Sequence, residues 1–371
     1  MIDKRLETLS RNLINYSCEL KKGEKVIIEV FGPHYDFTRQ LVREAHLVGA
    51  LPVVWLRDSS ILREQIMGGS QEQWDYIAAS DAAMLKEADA YIGIRGGDNS
   101  SQYSDISIEK LNLHTASYNT PVHSKVRVPD TRWVVLRFPS PSMAQQADQS
   151  TESFEDFYFN VCNLDYGKMS IAMNSIVSYM KRTDKVRITG KGTDITFSIK
   201  DIPAIKCDGK VNIPDGEIFV GPVKDSVNGT ITYNTPSLYQ GFTFENISFT
   251  FKDGKIISHS SNNDARIEDI LNTDEGARYI GEFAIGVNPY INKAMKDTLF
   301  DEKISGSIHL TPGNCYDDSF NGNKSAIHWD LVFIQTPEFG GGEIYFDDVL
   351  IRKDGLFVVD ELKCLNPDQL I

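Results

Sequence analysis

The 371-residue chain carries 52 acidic side chains against 38 basic ones, a formal net charge of -14, with a pI near 5.0. That balance excludes a general affinity for nucleic acid or anionic membrane, since both reward basic surfaces. The length exceeds what one hydrophobic core usually serves and predicts two domains, and no apolar run is long enough to span a bilayer.

In chain order, MIDKRLETLSRNLINYSCELKKGEK reads as a charged amphipathic helix rather than a signal peptide. Next come a β-branched strand, Glu24 to Phe31, an amphipathic helix, Tyr35 to Val48, stopped by Gly49, and a second strand, Leu51 to Leu56. The pattern repeats through a helical stretch from Gln71 to Lys86, a strand in ADAYIGIRGG, an irregular or helical region, and a strand in TRWVVLRFPS. Strands separated by helices of this length predict a parallel sheet with helices on both faces. The glycines from Gly93 to Gly97 do not form a dinucleotide fingerprint, because no G-x-G-x-x-G follows the first strand and opens a helix.

Phe154 to Arg182 has helical spacing, with a Met-rich stripe that reads as packing. Beyond it, KVRITGKGTDITFSIKD forms a hairpin pattern around Gly190 and Gly192, and strands and turns continue to the end. The expected fold is therefore α/β. A parallel α/β domain over residues 1–183 is followed by a β-rich α+β domain over 184–371. The five cysteines, Cys18, Cys162, Cys207, Cys315 and Cys364, include no C-x-x-C pair. They predict a reducing, cytoplasmic setting without a disulfide framework, and Cys315 has no adjacent base to make it a nucleophile.

The candidate chemistry lies in the second half. In GSIHLTPGNCYDDSFNGNKSAIHWD, the two-residue spacing of His328 and Asp330 sends both to one face of an extended segment. His309 sits on an alternating strand just upstream, and Tyr316 on the loop between them. Glu217, in PDGEIFVG, and Glu282, in YIGEFAIG, each follow a glycine and open an apolar run, which places a carboxylate at a strand end. Three such acids with two imidazoles suit divalent cations, and a pair of ions would compensate their charge and activate a water for hydrolysis. Glu302, in FDEK, reads equally as a solvated turn and is left out of this set.

These segments, with FDEKISGSIHL, GNKSAIHWDLVF and GGEIYFDDVLIRKDG, resemble the thermophilic-type metallo-aminopeptidases, the family of aminopeptidase T and aminopeptidase S. The resemblance implies a homodimer with a two-metal centre of zinc, cobalt or magnesium in the β-rich domain. It also implies release of single residues from peptides with a free N-terminus. The family's ligands fall on Glu217, Glu282, His309, His328 and Asp330, and its active-site tyrosine on Tyr316. The loop TPGNCYDDSFNGN departs from the family in being acidic and asparagine-rich. Two alternatives stay open at this point: another two-metal hydrolase such as a phosphoesterase, which would call for Arg or Lys beside the metals, and a peptide-binding protein without turnover.

Overall fold

The computed structural model describes residues 3–99 and 101–371. The chain forms two compact units, one of residues up to Asn163 together with Gly209–Ile213, the other of Leu164–Asp208 and Pro214–Ile371.

In the first unit β1 (Lys25–Phe31), β2 (Leu51–Arg57), β3 (Ala90–Arg95) and β4 (Arg132–Arg137) lie in the order β2-β1-β3-β4, all parallel, with Asn212–Ile213 added beside β4. Central strands covered on both faces must be apolar throughout, and Val26 to Val30 are all buried. One of those five is Glu29, held inside by the Tyr91 hydroxyl at 2.5 Å and by the guanidinium groups of Arg95 at 2.9 Å and Arg57 at 3.2 Å. Burial pushes its carboxyl up, but the Arg95 charge and the Tyr91 hydrogen bond pull it further down, so it stays ionised. Ile27, Trp74, Tyr91 and Val122 belong to the core between this sheet and its helices. The region left as irregular or helical is helical from Ile108 to Asp130, with Thr115–Arg127 wound as a wider π-helix around Pro121.

The expected helix from Phe154 to Arg182 is two helices, Thr151–Cys162 and Tyr166–Met180. The break falls at Asn163-Leu164-Asp165, where the Asp165 carboxylate caps the second helix by accepting from the Lys168 N–H at 2.9 Å. The two helices cluster in different units, and the Met-rich one belongs with the second.

The second unit is β-rich. Its larger sheet has eight strands drawn from Lys185 to Phe357, beginning with the hairpin Lys185–Gly190 and Thr193–Ser198. Gly192 turns that hairpin at φ +69°, a backbone that favours glycine. The smaller sheet comprises β5 (Ile205–Cys207), β6 (Glu217–Val220), β7 (Ile280–Gly286), β8 (Ser307–Pro312) and β9 (Val332–Ile334). These lie in the order β9-β8-β7-β6-β5, each antiparallel to its neighbour. Every residue of β7 and β8 is buried. Among the described residues, no helix is long and apolar enough to cross a membrane.

Candidate metal centre

The small sheet brings Glu217, Glu282 and His309 to one face. Gly286 pairs with Glu217 across β6 and β7, and Ala284 pairs with His309 across β7 and β8. Residues directly opposite in an antiparallel pair share a face, and so do positions two apart on a strand. Glu282, Ala284 and Gly286 therefore line one face of β7, and Gly286 admits the close approach of the Ile304 carbonyl, from which a Cβ would stand 2.4 Å. A register shift between Ile280 and Glu282 re-aims the β7 carboxylate at the strand end.

His328, Trp329 and Asp330 run extended just ahead of β9, and His328 forms an isolated bridge with Gly313. Alternation separates the three side chains. Trp329 turns away, stacking on Tyr239 at 4.7 Å and donating from its indole nitrogen to Ser237 at 2.9 Å. His328 and Asp330 converge, with Nε2 to Oδ1 at 3.2 Å. His328 Nδ1 donates to the Asn314 carbonyl at 2.9 Å, which holds the ring with Nε2 facing Asp330 and, at 3.9 Å, Glu282. Asp330 is further fixed by the Thr311 hydroxyl at 2.7 Å.

The glycines ahead of the two glutamates have a structural reason. A Cβ on Gly281 would stand 2.2 Å from the Asn314 carbonyl oxygen, the atom that orients His328. Gly216, at φ +129°, packs against Asn288 and leads the chain into Glu217.

All five expected ligands thus lie together. His309 Nε2 is 2.8 Å from Glu282 Oε1, and its Nδ1 is 3.6 Å from Glu217 Oε2. Two donor groups with metal-binding spacing share Glu282: Glu217 with Glu282 and His309, and Glu282 with His328 and Asp330. A third group of similar spacing, Cys207 with Asp215 and Glu217, extends from the first. Tyr316 lies on the loop after β8, half-exposed, its ring 4.7 Å from that of His328 and 6.0 Å from that of Phe219.

Glu302, left out of the expected set, and Lys303 also face the centre. Glu302 and Lys303 are not a solvated turn: the Lys303 side chain is 1% exposed and that of Glu302 13%. The Lys303 ammonium donates to Glu302 and to Glu217 Oε1 at 3.3 Å, and approaches Asp215 Oδ1 at 4.0 Å. Nothing in the spacing of FDEK separates a solvated turn from a charged pair folded inward, so no sequence signal distinguished them.

The electrostatics are those of crowded acid. Burial raises the Glu217 carboxyl, with Lys303 and His309 opposing and Glu282 and Asp215 adding to the rise. Burial also lifts Glu302 to about 8, against the pull of Lys303. Desolvation alone would lower both imidazoles, yet Glu217 and Glu282 hold His309 up at about 10, and Asp330 holds His328 up at about 9. Asp330 is pulled well below the usual carboxylate range, burial being outweighed by His328 and His309.

A family model described as thermophilic metalloprotease (M29) matches residues 2–342. Aminopeptidase T of Thermus thermophilus is 24% identical over 395 residues, covering 93% of this chain and 95% of the relative. Aminopeptidase PepS of Streptococcus thermophilus is 23% identical over 382 residues, covering 89% and 92%. Among solved structures, wild-type AmpT from Thermus thermophilus superposes with a TM-score of 0.79 at 21% identity, covering 97% of this chain and 100% of that one. A 2,5-dihydroxypyridine dioxygenase from Pseudomonas putida shares the fold at a TM-score of 0.60 and 14% identity, covering 96% and 98%.

Proposed function

The chain belongs to the M29 family of thermophilic metalloproteases and is a metal-dependent peptidase, and from that premise we propose that it releases single residues from peptide N-termini at a two-metal centre. The observation that carries the reading is the sharing of Glu282 by two donor groups, each completed by imidazole and carboxylate. Zinc or cobalt suits that mixture better than magnesium, which favours oxygen alone.

The residues fit such ions. Glu217 Oε2 and Glu282 Oε2 are buried without a hydrogen-bond partner, a costly condition unless a cation faces them. Five carboxylates, Asp215, Glu217, Glu282, Glu302 and Asp330, gather at the centre, and among the described residues the one ammonium paired with any of them, that of Lys303, reaches Asp215, Glu217 and Glu302. With neutral imidazoles this leaves a charge that two divalent cations match. Glu217, Glu282 and His309 would hold one ion, and Glu282, His328 and Asp330 the other.

When bound, divalent ions supply a Lewis acid for the scissile carbonyl and ionise water near neutral pH. Glu302, which belongs to neither donor group and largely keeps its proton near neutral pH in the metal-free site, would lose it beside bound cations and, as the carboxylate, would take the proton of the attacking water and return it to the leaving amine. Burial and the surrounding acids push the Tyr316 phenol up, so it keeps its proton and can donate to the oxyanion as it develops. The carboxylate-rich centre receives the free amino group of the substrate, by ion pairing or by ligation. A homodimer and a cytoplasmic location belong to the same proposal. The first rests on the family resemblance and the second on five free cysteines.

A phosphoesterase would need a cation open to substrate. Lys303 is buried among carboxylates, and Lys324 pairs outward with Asp317 at 2.5 Å. Aminoacyl-p-nitroanilide and p-nitrophenyl phosphate substrates, tried with metal-free and metal-loaded protein, test the assignment. Metal-dependent release from the anilides alone is expected, whereas turnover of the phosphate ester alone would reject it.

A further inference from the structure

Lys303 has no part in the chemistry described so far, yet it is a fully buried cation whose nitrogen touches one of the expected metal ligands. Its ammonium lies 3.3 Å from Glu217 Oε1 and 4.0 Å from Asp215 Oδ1, and it is also bonded to Glu302. Its backbone is pinned as well: the Lys303 carbonyl accepts from the Asn288 N–H at 3.0 Å, and the Asn288 side chain donates to the Asp215 carbonyl at 2.8 Å. The backbone is thus tied to the strand entry that carries Asp215 and Glu217, and the amine itself is held by its burial and its three carboxylate partners. Among the described residues no lysine or arginine pairs with the acids at the other end of the centre, where His328 and Asp330 face each other and Glu282, and Asp330 takes its further bond from a neutral hydroxyl.

We propose that Lys303 is a resident counter-cation that makes the two ion positions unequal, weakening the one at Glu217, Glu282 and His309 relative to the one at Glu282, His328 and Asp330. The inference rests on the two-ion reading above. An ion held by Glu217 shares that carboxylate with a fixed positive charge, and like charges a few ångströms apart in a partly desolvated site cost at least about a factor of ten in affinity. The same charge gives the metal-free site a partner for its acids. Without Lys303, Asp215, Glu217 and Glu302 would keep only the His309 imidazolium, 3.6 Å from Glu217, and a metal ion displaces the proton of that ring.

Equilibrium dialysis of the full chain against cobalt, read by elemental analysis, tests this with Lys303→Met and Lys303→Arg. Wild type should show two steps separated by about tenfold or more. Lys303→Met should tighten the weaker step by about tenfold and leave the tighter step within about twofold, while Lys303→Arg, which keeps the charge, should behave as wild type. Two indistinguishable steps in wild type, or a weaker step that is unchanged or loosened by Lys303→Met, would overturn the inference and leave the two-ion reading standing. No stoichiometric cobalt in wild type would overturn both. Thermal unfolding with and without cobalt, on Lys303→Met and Lys303→Gln, guards against a simple folding defect. Metal-free variants should unfold below wild type, with cobalt removing the difference; a deficit that persists with cobalt bound would contradict the counter-cation role.

Discussion

Glu282 Oε1 lies 2.8 Å from His309 Nε2, while its other oxygen faces His328 Nε2 at 3.9 Å. One carboxylate at the end of β7 thus touches both imidazoles of the centre. Replacing it should cost more than replacing any ligand at either end. Glu282→Ala is expected to lose both ions, and Glu217→Ala or Asp330→Ala one each, with turnover falling by more than about a hundredfold in every case. Elemental analysis of the purified variants checks this. Full metal content in Glu282→Ala would remove it from the shared position.

Chelation should abolish activity, and a divalent ion should restore it, because Glu217 Oε2 and Glu282 Oε2 are buried with no hydrogen-bond partner and face only imidazole nitrogens, at 3.6 and 3.9 Å. Full turnover by protein shown to be metal-free would end the metal-centre account.

The imidazoles give a pH dependence of definite sign. In the metal-free protein His309 is held up at about 10 and His328 at about 9, above their ordinary value of 6.5. Their contribution to stability is therefore complete below the unfolded value and is lost as pH rises through about 9 to 10. Metal needs the neutral rings, so its affinity should strengthen over the same interval as protons are released. Denaturant titrations of metal-free protein, with cobalt affinities measured across that range, read both trends. Stability and affinity moving in the same direction would contradict this assignment.

Much of this centre was legible because strand geometry is strict. The two-residue spacing of His328 and Asp330 puts both heads on one side and Trp329 on the other, as it must on any extended segment. The glycine–glutamate pair at Gly216-Glu217 marks a strand start, whereas Glu282 lies inside β7, which begins at Ile280, and there Gly281 packs against the Asn314 carbonyl. Glu302 and Lys303 were illegible because a charged pair reads the same whether it faces water or other charges; only the partners brought in by β6 decide. The break at Asp165 carried a local capping signal, but the apolar period on either side of it ran on unbroken.

Tyr316→Phe should lower kcat by about a hundredfold or more with metal content unchanged, as expected when a single oxyanion donor is lost. Steady-state kinetics with parallel metal analysis separates this from a ligand role. A variant with wild-type kcat would take the phenol out of the reaction.

Gly281→Ala tests the link between fold and site. The added Cβ would meet the Asn314 carbonyl at 2.2 Å, so that carbonyl must shift and His328 loses its anchor. A stability loss of about 1–3 kcal/mol is expected, together with weaker metal binding. Unaltered metal affinity in a destabilised variant would show that His328 holds its position without Asn314.

The most direct test of the account is a time course, followed by mass spectrometry, of one defined peptide and its N-acetylated twin with metal-loaded protein. A centre built on the carboxylates Glu217, Glu282 and Asp330 should act only on a free amino terminus. The free peptide should give a ladder shortened one residue at a time from its N-terminus, and the acetylated twin should remain intact. Internal fragments, or equal rates for the two peptides, would contradict an aminopeptidase.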